Sequence, residues 1–318
     1  MPSITLSGLA ATTADGSTLF GIAAMLLVAG LATGVLAGLF GVGGGAILVP
    51  VLFLSFTLVG VEEAIAMPLA VGTSLAVIVP TSISSARGHY AKGMVDMALV
   101  RVWAIPILLG VLGGAALARF AEPWVFQLVF ILVAGTNAAK LLLGKANWKV
   151  ADDLPKGWLL RFYGLMAGLL SALMGIGGGA ITNLAMTLHG RPIHQAVATS
   201  AAIGVVISIP GAIGYVLAGL GKAGLPLGSL GFVSLLGCVL IVPTTLLTTK
   251  LGVRLAHAMS RRTLEGVDFS TFFTDPALLQ TALAGARGKD FAALRYEASL
   301  KRLHQEPVPV HVNVADAE

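Results

Sequence analysis

The stretch GLFGVGGGAILVPVL at Gly38–Leu52 decides the fold once it is set beside GIGGGAITNL at Gly175–Leu184. Both carry a Gly-x-Gly-Gly-Gly-Ala core, Gly41–Ala46 and Gly175–Ala180, at a separation of 175 − 41 = 134 residues. Each core follows a run rich in small residues, so that Gly34 corresponds to Gly168. Further along, AVGTS at Ala70–Ser74 matches AVATS at Ala196–Ser200, now 196 − 70 = 126 residues apart, and the intervals Ser74–Gly93 and Ser200–Gly219 are equal. Two motifs in the same order, with a matching interval after them, indicate an internal duplication.

The surroundings of these motifs are those of a membrane protein. The chain of 318 residues is 56% apolar and 11% charged, with mean hydropathy +0.91, whereas a soluble domain carries about 25% charged residues. Apolar segments fall at 19–40, 42–59, 64–86, 97–118, 124–143, 159–174, 176–188, 194–219 and 227–249. A crossing of roughly 30 Å of hydrocarbon takes about 20 helical residues. Most segments meet that length; the seventh is too short, and the second and sixth are marginal. Lipid demands internally satisfied backbone, and the runs lack the alternation of barrel strands, so they are expected to be helices.

Charge sets an orientation. With the N-terminus outside, the loops on the inner side hold Arg87, Lys92, Arg101, Lys140, Lys145, Lys149, Lys156, Arg161, Arg191, Lys250, Arg254, Arg261 and Arg262, against Arg119 and Lys222 outside. That bias is the positive-inside pattern, and it accounts for the basic pI without nucleic acid as a partner. In this orientation segment 64–86 runs inward and its counterpart 194–219 runs outward, so the two halves are inverted. The expected fold is all-α: a polytopic helical membrane protein with two inverted repeats and Gly-rich, re-entrant or broken helices. Its parts are a polar leader over 1–18, a first repeat over 19–143, a cytoplasmic linker over 144–158, a second repeat over 159–262 and a cytoplasmic tail over 263–318.

Glycine clusters in membranes often serve close helix packing. Glycine-interrupted apolar segments at corresponding places in two halves point instead to a transporter site, because unwound backbone there exposes N–H groups suited to an anion. The expected substrate-binding residues are Gly41, Gly43, Gly44, Gly45, Thr73 and Ser74 in the first half, and Gly175, Gly177, Gly178, Gly179, Asn183, Thr199 and Ser200 in the second. The hydroxyls and the Asn183 amide could donate to substrate oxygens or bond the backbone and neighbouring helices instead. A dinucleotide fingerprint is excluded by the flanking run of apolar residues, which has no βαβ character.

All 15 acidic residues lie at segment ends or in loops, which disfavours a cation as substrate and suits an anion held by neutral donors. His89, His189 and His194 sit at segment ends, where interfacial placement is the ordinary reading and proton coupling the alternative. Trp103, Trp124, Trp148 and Trp158 read as interfacial anchors. The single cysteine, Cys238, supports neither a disulfide framework nor a thiolate metal site; no metal or cofactor is expected.

The quoted motifs, with AVGTSLAVIVPTSISSARGHYAKG at Ala70–Gly93, resemble the sulfite exporter TauE/SafE family, also called the toluene sulfonate uptake permease family, over roughly residues 19–262. The resemblance implies a multi-pass transporter of the bacterial inner membrane, handling sulfite, sulfoacetate, related organosulfonates or small carboxylates. The tail departs from that pattern: where a last apolar helix is expected, residues 263–318 are charged, with Phe291, Leu294, Leu300 and Leu303 spaced for a short amphipathic helix. The resulting expectation is a secondary transporter of a small anion working by alternating access, not an enzyme. A passive anion channel is one alternative. The other is an intramembrane enzyme with Ser74 as nucleophile and His89 as base.

Overall fold

The computed structural model describes residues 16–41, 43–143 and 150–258. The tail and its amphipathic spacing lie outside the described residues, as do Trp148 and most of the leader. Within them the chain forms helices α1 (Gly16–Phe40), α2 (Gly45–Leu58), α3 (Glu63–Tyr90), α4 (Met97–Ala118), α5 (Pro123–Leu143), α6 (Trp158–Met174), α7 (Gly179–Leu188), α8 (Ile193–Gly219) and α9 (Leu235–Ala258), with a small hairpin, β1 (Ser229–Leu230) and β2 (Val233–Ser234), before α9. The protein is a polytopic helical membrane protein. Among the described residues, five helices, α1, α3, α4, α8 and α9, are long and apolar enough to cross a bilayer.

The short helices follow the glycine cores. At about 1.5 Å per residue, the 14 residues of α2 extend roughly 21 Å and the 10 of α7 roughly 15 Å. Both fall short of the roughly 30 Å hydrocarbon layer. Each begins on a glycine that reverses the backbone hand: Gly44 has φ 77° and Gly178 has φ 75°. The breaks upstream are also alike, with φ 65° at both Gly41 and Gly175. A side chain is disfavoured in this left-handed region, which is why the sequence keeps glycine at all four places.

Long helices pair across the molecule through small residues. α1 lies on α9, α4 on α6, and α3 on α8, while α2 packs on α3 and α7 on α8. On α1, a β-carbon at Gly34 would strike Thr248 and the Thr245 carbonyl, and one at Gly38 would strike the Thr249 carbonyl. On the α4–α6 pair, a β-carbon at Gly168 would strike the Ile107 carbonyl, and one at Gly110 the Leu165 carbonyl. Van der Waals packing and short-range polar contacts drive helix association where no hydrophobic effect operates, and backbone-to-backbone approach maximises both. The packing role of glycine is thus carried by Gly34, Gly38, Gly110 and Gly168.

Two sequence expectations are corrected here. Trp103 is not an interfacial anchor: it is fully buried, because Gly164 on α6 opens the space its indole fills, a β-carbon there lying 3.1 Å from the ring. Trp124 and Trp158 are exposed as an anchor requires. The ninth apolar segment, placed at 227–249, begins late: residues 229–234 form the hairpin and α9 runs from Leu235 to Ala258. Positive φ at Gly228 and Gly231 turns the chain where hydropathy alone reads a continuous run.

Candidate functional site

The C-terminal end of α1 shows how the site is assembled. A helix leaves its last carbonyls without intrahelical donors, and in an apolar setting each unmet carbonyl costs several kcal/mol. Here side chains of other helices meet them. Ser85 of α3 joins the Gly41 amide on the Ala37 carbonyl, at 3.2 Å, while His89 Nε2 of α3 donates to Gly38 at 3.0 Å, Asn183 Nδ2 of α7 to Phe40 at 2.7 Å, and Ser200 Oγ of α8 to Gly41 at 3.2 Å.

The end of α6 is closed in the same manner. Tyr215 of α8 donates to the Ala172 carbonyl at 2.9 Å and Ser74 of α3 to the Gly175 carbonyl at 2.7 Å. The two serines singled out by sequence therefore make reciprocal bonds: Ser200 holds the break at Gly41, and Ser74 holds the break at Gly175. Their neighbouring threonines are reciprocal too. Thr73 Oγ1 accepts from the Ser234 amide at 2.9 Å just before α9, and Thr199 Oγ1 accepts from the Asp96 amide at 3.0 Å just before α4. Between the two sets, Ser82 of α3 and Ser208 of α8 approach to 3.4 Å.

The structure brings most of the expected residues together. A β-carbon on Gly43 would lie 3.4 Å from the Gly177 backbone, and one on Gly45 would strike the Gly175 carbonyl, so the two glycine loops touch. Thr73, Ser74, Thr199 and Ser200 are fully buried. The hydroxyls of Thr73, Ser74 and Ser200 spend their protons on carbonyls, of Leu69, Gly175, and Gly41 or Val197 respectively. What remains free at the loops is of two kinds. The first-turn N–H groups of α2 and α7 lack i−4 partners, although Ile47 N–H turns back to the Gly44 carbonyl at 3.2 Å and Gly178 N–H to the Ile176 carbonyl at 2.7 Å, and neither Gly44 nor Gly178 has a side-chain cap. Among the described residues, Thr33 Oγ1, Ser171 Oγ, Thr182 Oγ1 and Asn183 Oδ1 are buried with no partner.

These orphan groups border the loops. A β-carbon on Gly44 would meet Thr33, and one on Gly178 would lie 3.5 Å from Ser171 Oγ. Thr182 sits one turn into α7, its amide bonded to the Gly178 carbonyl at 2.9 Å. The loops are therefore edged by unpaired hydroxyls and by helix N-termini, whose dipoles favour negative charge. Sequence reasoning missed Thr33, Ser171, Thr182, Tyr215 and His257. Extending the 126-residue register of Ser74 and Ser200 would have pointed to Tyr215, which matches His89.

Other expected residues lie elsewhere. His89 is buried rather than interfacial, and so is His189, whose Nδ1 donates to the Ala185 carbonyl at 2.7 Å. Arg191 pairs with Asp153 at 3.5 Å, and Arg87 is exposed. Ser74 and His89 lie on one unbroken helix, α3, about 22 Å apart along its axis by the helical rise. Each bonds a different carbonyl, so Ser74 and His89 are not paired in this conformation.

A family model described as Sulfite exporter TauE/SafE matches residues 26–270. The chain is 32% identical over 242 residues to a "Probable membrane transporter protein" of Haemophilus influenzae, covering 76% of this chain and 91% of the relative. It is 27% identical over 241 residues to "Probable membrane transporter protein MJ0441" of Methanocaldococcus jannaschii, covering 76% and 88%. It is 26% identical over 260 residues to "Probable membrane transporter protein YunE" of Bacillus subtilis, covering 76% and 90%. No solved structure matches the chain.

Proposed function

The chain belongs to the sulfite exporter TauE/SafE family of membrane transporters, and from that premise we propose that it is a secondary transporter of a small sulfur-containing oxyanion, organosulfonate or carboxylate, working by alternating access between two inverted repeats. The observation that carries this reading is the reciprocal bonding of Ser74 to Gly175 and of Ser200 to Gly41. It sets two glycine loops against each other, each opening a half-length helix at its N-terminal end. Sites of this build, with discontinuous helices meeting between inverted halves, hold anionic groups on free backbone N–H.

In this proposal the anion is held by the first-turn N–H groups beside Gly43, Gly44 and Gly45, and beside Gly177, Gly178 and Gly179. The hydroxyls of Thr33, Ser171 and Thr182 supply further donors. Thr73, Ser74, Thr199, Ser200 and Asn183 act by holding the loops, since their donors are engaged by backbone carbonyls or, for Thr199, the oxygen receives an amide. A sulfonate or sulfite presents three oxygens around one centre, which matches donors arriving from two loops. The N-terminus is placed outside and the tail in the cytoplasm, on the charge bias of the loops.

Purified protein in liposomes is expected to move labelled sulfite, sulfoacetate, thiosulfate or a small carboxylate above the rate of empty vesicles, and failure with all of them sinks the reading. Counterflow separates carrier from channel: excess unlabelled substrate inside drives transient uphill accumulation of label only through an alternating site.

A further inference from the structure

His89 and Tyr215 stand 126 residues apart, the interval that also separates Ser82 from Ser208. They perform one task with different chemistry. Tyr215 donates to the Ala172 carbonyl and His89 Nε2 to the Gly38 carbonyl, each in the last turn before a glycine break. A neutral phenol suffices for that bond in one half of the molecule. An imidazole brings something more, a second nitrogen, and this one is occupied: His89 Nδ1 lies 3.1 Å from Nε2 of His257 on α9.

The partners fix the tautomers. Nε2 of His89 must carry hydrogen to bond a carbonyl, so in the neutral ring Nδ1 accepts and His257 Nε2–H donates. One added proton is accommodated without breaking the pair. His89 then donates from both nitrogens, while His257 shifts its hydrogen to Nδ1 and accepts at Nε2. A second proton would place two hydrogens in one 3.1 Å gap, and the rings would part. The pair therefore has room for one extra proton and no more.

The charges around the pair are positive or neutral. Lys92, just beyond α3, and His194, at the start of α8, act on it. Exposed Arg87 lies on α3, and Arg254 lies one turn before His257 on α9. α1 carries no ionisable residue, and no carboxylate faces the pair among the described residues. Such a site gains a proton most readily when negative charge arrives nearby. The Gly41 loop, where the proposed anion binds, begins in the turn directly beyond Gly38. By linkage, whatever the anion does for proton affinity the proton does for anion affinity. We propose that the His89–His257 pair is the coupling-proton site, taking up one proton with each anion; this rests on the anion-transport reading above.

Sulfoacetate is the probe, because its sulfonate stays ionised and it has no neutral form to leak through lipid. In wild-type liposomes an acid exterior should drive its accumulation, with matching proton entry seen by trapped pyranine. His89→Tyr should keep the Gly38 bond as Tyr215 keeps its own, and His257→Gln leaves that bond untouched. Both should retain counterflow within about twofold yet lose acid-driven accumulation and proton entry by ~10-fold or more, the signature of lost linkage. Full acid-driven accumulation in His89→Tyr overturns the proposal, as does loss of counterflow together with accumulation in both variants while their melting is unchanged. If the wild type moves no sulfoacetate even by counterflow, the anion reading fails, and the pair is judged separately by 15N-histidine NMR. A single proton shared by His89 and His257 across the titration supports the site; two protons, or none, overturns it.

Discussion

The hydroxyl of Ser74 reaches the carbonyl of Gly175 at 2.7 Å and so closes the end of a helix to which it does not belong. Ser74→Ala strands that buried carbonyl, at a cost of about 1–3 kcal/mol. Ser200→Ala should cost less, since its bond to Gly41 is longer, at 3.2 Å, and is shared with the Val197 carbonyl. Melting in detergent ranks the two. An equal or reversed order would show that these bonds do not carry the loops.

Gly44 and Gly178 each combine a left-handed backbone with a blocked β-position, against Thr33 and Ile207 respectively. Alanine at either is expected to cost roughly 1–3 kcal/mol in backbone strain alone and to abolish counterflow. Gly113→Ala on α4 is the control. Its β-carbon would sit 3.9 Å from Leu169 Cδ1, so alanine there should be neutral or stabilise by up to about 1 kcal/mol.

Gly168→Leu should drive α6 away from α4, because the carbonyl of Ile107 occupies the space. Overpacking of this kind costs about 1–3 kcal/mol or more. The readout is the yield of monodisperse protein from membranes, expected to fall sharply, whereas loss of transport from folded protein would contradict a packing role.

Asn183 offers a test of charge at the loops. Asn183→Leu removes the bond to the Phe40 carbonyl and should slow transport by roughly tenfold, matching about 1.4 kcal/mol. Asn183→Asp removes the same donor and adds negative charge, so it should slow an anion further. Initial rates of sulfoacetate uptake decide it, and an aspartate variant faster than the leucine variant would place the anion elsewhere.

The helices and the glycine breaks were legible because lipid imposes long apolar runs and because a left-handed turn admits little but glycine. The partners of Thr73, Ser74, Thr199 and Ser200 were not. Their spacing marks them as a matched set, yet whether a buried hydroxyl serves a ligand or a carbonyl depends on what stands opposite, here residues 101 positions from Ser74 and 159 from Ser200. Trp103 escaped for a related reason: its burial follows from Gly164 on another helix. His257 could not be found at all, since nothing on its own segment announces a partner at the end of α3. The late start of α9 reflects turn chemistry overriding hydropathy, Gly228 and Gly231 outweighing the leucines beside them.

The reciprocity of the two halves also bears on which way the molecule rests. If the halves exchange roles during a cycle, the Ser74–Gly175 and Ser200–Gly41 bonds trade places and leave the energy of the two orientations nearly equal. A resting bias then has to come from positions where the matched residues differ. His89 stands against Tyr215, and Asn183 stands 134 residues after Val49, which has no amide to offer. On the proposed alternating-access reading, exchanging those few side chains between the halves should reverse the protein's preferred facing without touching the glycine loops.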